Sequence, residues 1–175
     1  LITGVSPGNL AEVLSAALLR RGINIIATSI DTPDITYLHP EPGSDHGFLI
    51  TLQMDVTSRR SIAKAVETVE RLTDGKLHFL VNCERCKYVV PILDADIQRT
   101  KAQFDVNVWG GVRVVQGFFP MLRAARGVIV HLGDGNSGRA YLGIHESSEA
   151  ARGNLMESLR VEVAPFGVEV MNIHV

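Results

Sequence analysis

Three side chains in the last third of the chain could transfer protons. Asp134 follows an apolar run, His145 comes eleven residues later, and Glu149 lies four residues beyond His145. An imidazole exchanges protons close to neutral pH, and a neighbouring carboxylate can orient it. This pattern favours proton abstraction by His145 paired with Asp134 or Glu149, as an isomerase or a lyase requires. The alternative is a solvated loop without chemistry.

A glycine-rich turn near the start of the chain could bind phosphate. It reads Thr3-Gly-Val-Ser-Pro-Gly-Asn9, between an apolar segment and a helical pattern. In a turn from strand to helix, glycines let backbone N–H groups approach a pyrophosphate at the helix N-terminus. Gly4, Ser6 and Gly8 are therefore predicted to bind a dinucleotide, unless the turn only connects the two elements.

Bulk properties indicate one ordinary globular domain. The chain has 175 residues, of which 46% are hydrophobic and 21% charged, and its net charge of −2 gives no argument for nucleic acid as a partner. No apolar run approaches the roughly 18 residues of a membrane segment. Two cysteines make no disulfide framework, which favours a cytoplasmic setting. Because both ends fall inside apparent strands, we expect residues 1–175 to be a single domain truncated at both ends.

Strand and helix patterns alternate along the chain, which predicts an α/β fold with a parallel sheet. Residues 31–47 contain too many prolines and glycines for a confident helix, and Pro120 should bend or end a long helix. The predicted strands are 1–3, 23–28, 48–54, 77–81, 128–132 and 168–175, and the predicted helices are 9–21, 61–72, 97–122 and 146–163.

These motifs together resemble the short-chain dehydrogenase/reductase family. The resemblance is carried by the first turn, by Leu80-Val-Asn82, by Asn107-Val-Trp-Gly110 and by the segment 158–170. Residues 91–97 with Asn107-Val-Trp-Gly110 particularly suggest the NADPH-dependent 1-acyl-dihydroxyacetone phosphate reductase branch. The resemblance implies a doubly wound Rossmann sheet of strand order 3-2-1-4-5-6 with helices on both faces. It also implies NADP(H) or NAD(H) as cofactor and homo-oligomers formed through the helices at 97–122 and 146–163.

The resemblance further assigns roles to single residues. Asp134, His145 and Glu149 stand where the family has its catalytic Ser, Tyr and Lys, so all three are replaced. Asn107 matches the helix Asn that holds a water in the proton relay. The remaining matches concern the cofactor: Asp55 and Val56 match the pair that flanks adenine, and Asn82 matches the residue that stabilises the central sheet beside the cofactor.

Other positions depart from the family pattern around the cofactor. Ser29-Ile-Asp31 specifies neither NAD nor NADP, and Glu84 and Arg85 would put bulk and charge beside the nicotinamide ribose. Cys83 and Cys86 form a C-x-x-C that could be a redox dithiol or half of a zinc site. No second ligand pair accompanies it, so no metal site is predicted.

The leading interpretation is a degenerate family member, inactive in conventional hydride transfer, that acts as a binding or assembly partner or in non-redox chemistry. One alternative is an NADP(H)-dependent carbonyl oxidoreductase with an atypical active site. Another is a non-redox isomerase or lyase using His145. Any substrate is expected to be a small or lipid-like molecule.

Overall fold

The computed structural model describes residues 1–31, 35–38, 45–134 and 138–174. Its strands are β1 (Ile25–Ser29), β2 (Leu49–Gln53), β3 (Phe79–Asn82), β4 (Val128–Gly133) and β5 (Glu169–His174). Its helices are α1 (Leu10–Leu19), α2 (Arg59–Thr73), α3 (Ile97–Phe104), α4 (Gly111–Ala125) and α5 (Gly143–Val163), and a π-helical turn, Asp105–Gly110, joins α3 to α4.

Every strand pairing among these elements is parallel. β2 pairs with β1, and β3, β4 and β5 follow one another in a second group. Ile2 joins the two groups by bridging Ala27 of β1 and Val81 of β3. With the first segment counted as a strand, the order is the predicted 3-2-1-4-5-6, and the α/β Rossmann prediction is confirmed.

Helices cover both faces of this sheet, as predicted. One buried cluster packs α2, α4 and α5 on the sheet through side chains such as Val69, Phe118 and Met156. A second cluster packs α1 on the opposite face through Ala11 and Leu19. Burial of these apolar faces stabilises the sheet from both sides and fixes the strand ends that carry the polar residues.

Two expectations about helices need correction. The long helix does not end at Pro120, because α4 continues to Ala125. Proline has no backbone N–H, so Pro120 leaves the carbonyl of Gln116 without its helical hydrogen bond. Both residues are exposed, so water can bind that carbonyl instead. α5 begins at Gly143, earlier than predicted, and so it carries both His145 and Glu149.

The connection after β1 is only partly described. Its described residues include the short 3-10 helix Thr36–Leu38, while residues 32–34 and 39–44 lie outside the described part, as does Val175 of the last predicted strand. Within the described ranges, no helix is both long and apolar enough to cross a membrane.

Candidate functional site

A cavity of about 1090 Å³ lies at the carboxyl ends of the parallel strands. Ligands of open α/β sheets bind at this edge, outside the strand ends. Its walls include the turn before α1, the end of β1 and the segments after β2 and β3, and Ala102, Asp105, Val106 and Leu132 complete the lining. The lining residues from these segments include Gly4, Ser6, Asn9, Ser29, Ile30, Asp31, Asp55, Val56 and Thr57, and Cys83, Glu84, Arg85 and Cys86 follow β3.

The turn before α1 has the backbone geometry of a phosphate-binding loop. Gly4 and Gly8 have φ of 65° and 79°, and no atom lies within 4 Å of a side chain built at Gly8. Asn9 caps α1 by accepting from the Glu12 N–H at 3.0 Å, and its amide donates to the Gly4 carbonyl at 2.7 Å. Asn9 therefore reinforces the turn. Glu12, however, accepts the Gly8 N–H, which reduces the donors left for a phosphate.

The other predicted cofactor residues lie in or beside the same cavity. Asp55 accepts from the backbone N–H of Thr57 at 2.8 Å and from its hydroxyl at 2.7 Å, which folds the segment after β2. Val56 lies against Gly110, because a Cβ atom built at Gly110 would be only 2.7 Å from the Cγ2 of Val56. Asn82 is buried at the end of β3, and its amide has no hydrogen-bond partner among the described residues.

Of the two carboxylates that the sequence offered as partners of His145, the structure places Asp134 against it. His145 Nε2 lies 2.9 Å from Asp134 Oδ2, and the imidazole has no exposed surface. Arg85 also binds Asp134, and Lys87 Nζ lies 3.8 Å away. Burial alone would raise the pKa of Asp134, but the hydrogen bond to His145 and the charges of Arg85 and Lys87 hold that pKa below its ordinary value. Asp134 is thus an ionised acceptor at neutral pH.

Glu149 pairs with an arginine that the sequence analysis did not identify. Arg152 is fully buried on α5 and lies 3.2 Å from the Glu149 carboxylate. Its guanidinium also donates to the Leu132 carbonyl at 3.3 Å and to the Glu84 carbonyl at 3.1 Å. The i,i+3 spacing of Glu149 and Arg152 was the available signal. Glu149 Oε2 further accepts from the Asp134 backbone N–H at 3.1 Å, which fixes the start of the Asp134 loop.

Glu84 is a buried carboxylate in the cavity wall. It accepts a hydrogen bond from the Thr3 hydroxyl, and its Oε1 lies 4.0 Å from Arg152. Burial raises the pKa of Glu84 above its ordinary value, while the Arg152 charge and the Thr3 hydroxyl act in the opposite direction. The expected bulk and charge at this position are present, because Glu84 and Arg85 both line the cavity.

Asn107 serves as a clamp for the segment after β3. It is buried in the π-helical turn, where its Oδ1 accepts from the Cys86 N–H at 2.7 Å. Its Nδ2 donates to the Cys86 carbonyl at 2.9 Å and to the Ser148 hydroxyl at 2.9 Å. π-turns within helices are frequent at functional sites. Both hydrogen-bonding ends of Asn107 are thus used within the protein.

The two cysteines are free thiols of unequal exposure. Burial, followed by the charge of Glu84, raises the pKa of Cys83 to about 12, which disfavours the reactive thiolate. The described residues contain no group of three His, Cys, Asp or Glu side chains placed to hold a metal ion.

The comparison with known proteins decides the family. The short chain dehydrogenase family model matches residues 1–175, the whole chain. The chain belongs to the short-chain dehydrogenase family. A metagenomic short-chain oxidoreductase in complex with NADP superposes with a TM-score of 0.86 at 19% identity, over 98% of this chain and 80% of that one. At that identity the likeness supports the fold alone.

Two curated fungal relatives extend over nearly the entire chain. The short-chain dehydrogenase ptmH of Penicillium ochrochloron is 39% identical over 99% of this chain and 63% of its own length. The NADPH-dependent 1-acyldihydroxyacetone phosphate reductase of Schizosaccharomyces pombe is 32% identical, over 99% of this chain and 57% of its own length. The chain thus spans about three fifths of these relatives. The likeness to the reductase branch that the motifs suggested is the weaker of the two.

Proposed function

We propose that this chain is the cofactor-binding and proton-transfer region of a short-chain dehydrogenase that interconverts an alcohol and a carbonyl with NADP(H) or NAD(H). The observation that carries the proposal is the cavity at the strand ends, bordered by an open glycine turn. The relatives support it, since one is NADPH-dependent and a protein of the same fold was crystallised with NADP.

The residues in the cavity fit the adenosine and pyrophosphate half of a dinucleotide. The turn around Gly8 is open to a phosphate, and Asp31 at the end of β1 could accept from a ribose 2′-hydroxyl. Asp55 and Val56 would border the adenine. A bound nicotinamide would accept or deliver the hydride, and the side chains of the protein would bind the cofactor and transfer the proton.

Asp134 is the group best suited to move the proton. It is ionised at neutral pH and can accept a proton, although its lowered pKa makes it a weak base, and its neighbour Arg85 lines the cavity. Neither the Asp134 nor the His145 side chain lines the cavity: Asp134 is joined to it through Arg85, and the fully buried His145 orients Asp134. An ionised acceptor takes the hydroxyl proton of an alcohol more readily than it protonates a carbonyl oxygen. Alcohol oxidation is therefore the direction in which Asp134 acts as the base, and carbonyl reduction uses the same group as the acid.

Turnover tests this assignment. The chain would be incubated with NADP⁺ or NAD⁺ and a panel of primary and secondary alcohols, with formation of reduced nicotinamide followed by absorbance. Asp134→Asn should lower kcat by about a hundredfold, the contribution of a positioned base. Glu157→Gln removes a carboxylate from an exposed ion pair with Arg160, away from the cavity, and serves as the control. A wild-type rate that Asp134→Asn leaves unchanged would exclude Asp134 as the base.

A second candidate function is a family member that no longer transfers hydride and acts as a binding or assembly partner. The burial of His145 and the closed Glu149–Arg152 pair favour it, since neither group presents a proton donor to the cavity. This candidate predicts no turnover with any alcohol or carbonyl in the panel. It also predicts a stable homo-oligomer in sedimentation experiments, formed through α4 and α5.

A further inference from the structure

We infer that the Glu12 carboxylate is an internal competitor of the cofactor, because it binds a backbone N–H that the turn before α1 would offer to a pyrophosphate. The inference rests on the proposed function and concerns the affinity of the same site. It starts from the hydrogen bond that the backbone N–H of Gly8 donates to the Glu12 carboxylate. The turn therefore already binds an anionic group, and that group belongs to the protein itself.

This contact is not the usual cap of a helix. In a capping box, the glutamate in the first turn of the helix binds the N–H of the N-cap residue, which is Asn9 in α1. The Asn9 N–H instead donates to the Ser6 carbonyl at 3.2 Å, and the Asn9 side chain accepts from the Glu12 N–H at 3.0 Å. The Glu12 carboxylate reaches one residue further, to Gly8 in the turn. The Asn9 cap of α1 therefore forms without this carboxylate.

Tyr37 holds the carboxylate in this place. Its hydroxyl, in the short 3-10 helix after β1, donates to Oε1 of Glu12, while the Gly8 N–H donates to Oε2. The fully buried Ile35 anchors the Tyr37 segment in the apolar cluster that also contains residues of α1. The hydrogen bond from Tyr37, followed by that from Gly8, lowers the pKa of Glu12. The group is therefore a charged carboxylate at neutral pH.

A charged carboxylate at Gly8 opposes a pyrophosphate in two ways. It accepts the N–H, so a phosphate oxygen must displace it to bind there, and it repels the phosphate charges. Among the described residues no ion pair includes Glu12, so no cation offsets its charge. The exchange has room, because no atom lies within 4 Å of a Cβ built at Gly8 and the Glu12 side chain is partly exposed. The carboxylate can thus turn into solvent when a phosphate binds.

The test uses ADP and adenosine, which share the base and the ribose and differ in the pyrophosphate. Dissociation constants are measured by NMR from the amide shifts of the isotope-labelled protein, in which the Gly8 N–H reports the contact directly. Glu12→Gln removes the charge, and Glu12→Ala removes the carboxylate altogether. Both variants should bind ADP about fivefold more tightly than the wild type, the ratio that two unit charges about 4 Å apart produce in water. Adenosine should bind all three proteins alike.

Two further variants separate this contact from a general effect of charge. Tyr37→Phe removes the hydrogen bond that holds the carboxylate but keeps the charge, so it should tighten ADP binding less than Glu12→Gln does. Glu67→Gln removes a carboxylate from the exposed face of α2, outside the cavity wall, and should bind ADP as the wild type does. Thermal melts show that each variant is folded.

The outcomes separate the inference from the proposed function. If ADP binds the wild type as tightly as both Glu12 variants, or more tightly, the inference is wrong while the pyrophosphate site stands. If adenosine gains as much affinity as ADP, the inference is also wrong, because the gain does not depend on phosphate. If ADP binds none of the proteins, both are wrong. If ADP binds only the Glu12 variants, the inference is supported, and the wild type fits the second candidate function, a family member that no longer transfers hydride.

Discussion

Arg152 and Glu149 form a buried ion pair one helical turn apart, with 3.2 Å between guanidinium and carboxylate. The same guanidinium binds the carbonyl of Leu132 near the end of β4 and that of Glu84 after β3. A single side chain of α5 therefore ties together the ends of two neighbouring strands at the cavity. Glu149, which the resemblance aligns with the catalytic lysine of the family, thus pairs with a structural arginine.

Removal of Arg152 should destabilise the protein strongly. Arg152→Leu leaves the Glu149 carboxylate buried without its cation, and breaking a buried pair in this way costs about 3–5 kcal/mol. Arg160→Leu on the same helix removes an exposed pair with Glu157 and should cost less than about 1 kcal/mol. Urea denaturation of both variants measures the difference. If both variants lose the same free energy of unfolding, Arg152 contributes no more to stability than an exposed arginine does.

His131 should make stability depend on pH in the acidic range. Burial, together with the charges of Arg152, Arg85 and His174, lowers the pKa of His131 to about 3, against about 6.5 in an unfolded chain. Between pH 3 and 6.5 the unfolded chain binds a proton on His131 that the folded chain does not bind. The contribution of neutral His131 to the free energy of unfolding is therefore full above pH 6.5 and falls as the pH drops toward 3.

His131→Gln should remove that dependence. Between about pH 7 and pH 4 the wild type should lose roughly 3 kcal/mol more of unfolding free energy than the variant does. His78→Gln replaces an exposed histidine and should follow the wild type. Parallel curves for the wild type and His131→Gln would mean that His131 protonates in the folded state as easily as in the unfolded one.

Asp134 should stabilise the folded protein more at neutral pH than in acid. Its pKa is lowered in the folded state, so its contribution is present above the unfolded pKa near 4 and is lost as the pH falls through the folded pKa. Asp134→Asn should therefore destabilise the protein at neutral pH, and the difference from the wild type should shrink in acid. Thermal melts at neutral and acidic pH measure it; a difference that does not change with pH would contradict the pKa shift.

Introducing the side chains that the resemblance implies at Asp134, His145 and Glu149 should require a fourth change. The triple variant Asp134→Ser, His145→Tyr, Glu149→Lys would place a lysine beside the buried Arg152. Because two like charges would then be buried together, this variant should be strongly destabilised. Adding Arg152→Leu removes that repulsion, so the quadruple variant should melt at a higher temperature than the triple variant. If the triple variant is as stable as the wild type, Glu149 is not the partner on which Arg152 depends.

The fold was predictable because it depends on local patterns. Alternating apolar runs and amphipathic helices predicted a parallel α/β sheet, the family resemblance implied its strand order, and the glycine turn predicted one wall of the cavity. The site was less predictable because its contacts join distant residues. Arg152 reaches Glu84, and Asn107 clamps Cys86, across elements whose approach no spacing reveals. The choice of Asp134 over Glu149 as the partner of His145 likewise depended on Arg152, which competes for Glu149.

Calorimetric titration of the chain with NADPH and NADH tests the central proposal most directly. At least one of them should bind with a dissociation constant in about the micromolar range. Ser6→Asp adds a negative charge at the exposed phosphate turn and should abolish that binding, whereas Ser158→Asp, on the exposed surface of α5, should not change it. Absence of saturable binding up to about millimolar concentration, or equal binding by wild type and Ser6→Asp, would contradict a dinucleotide site in this cavity.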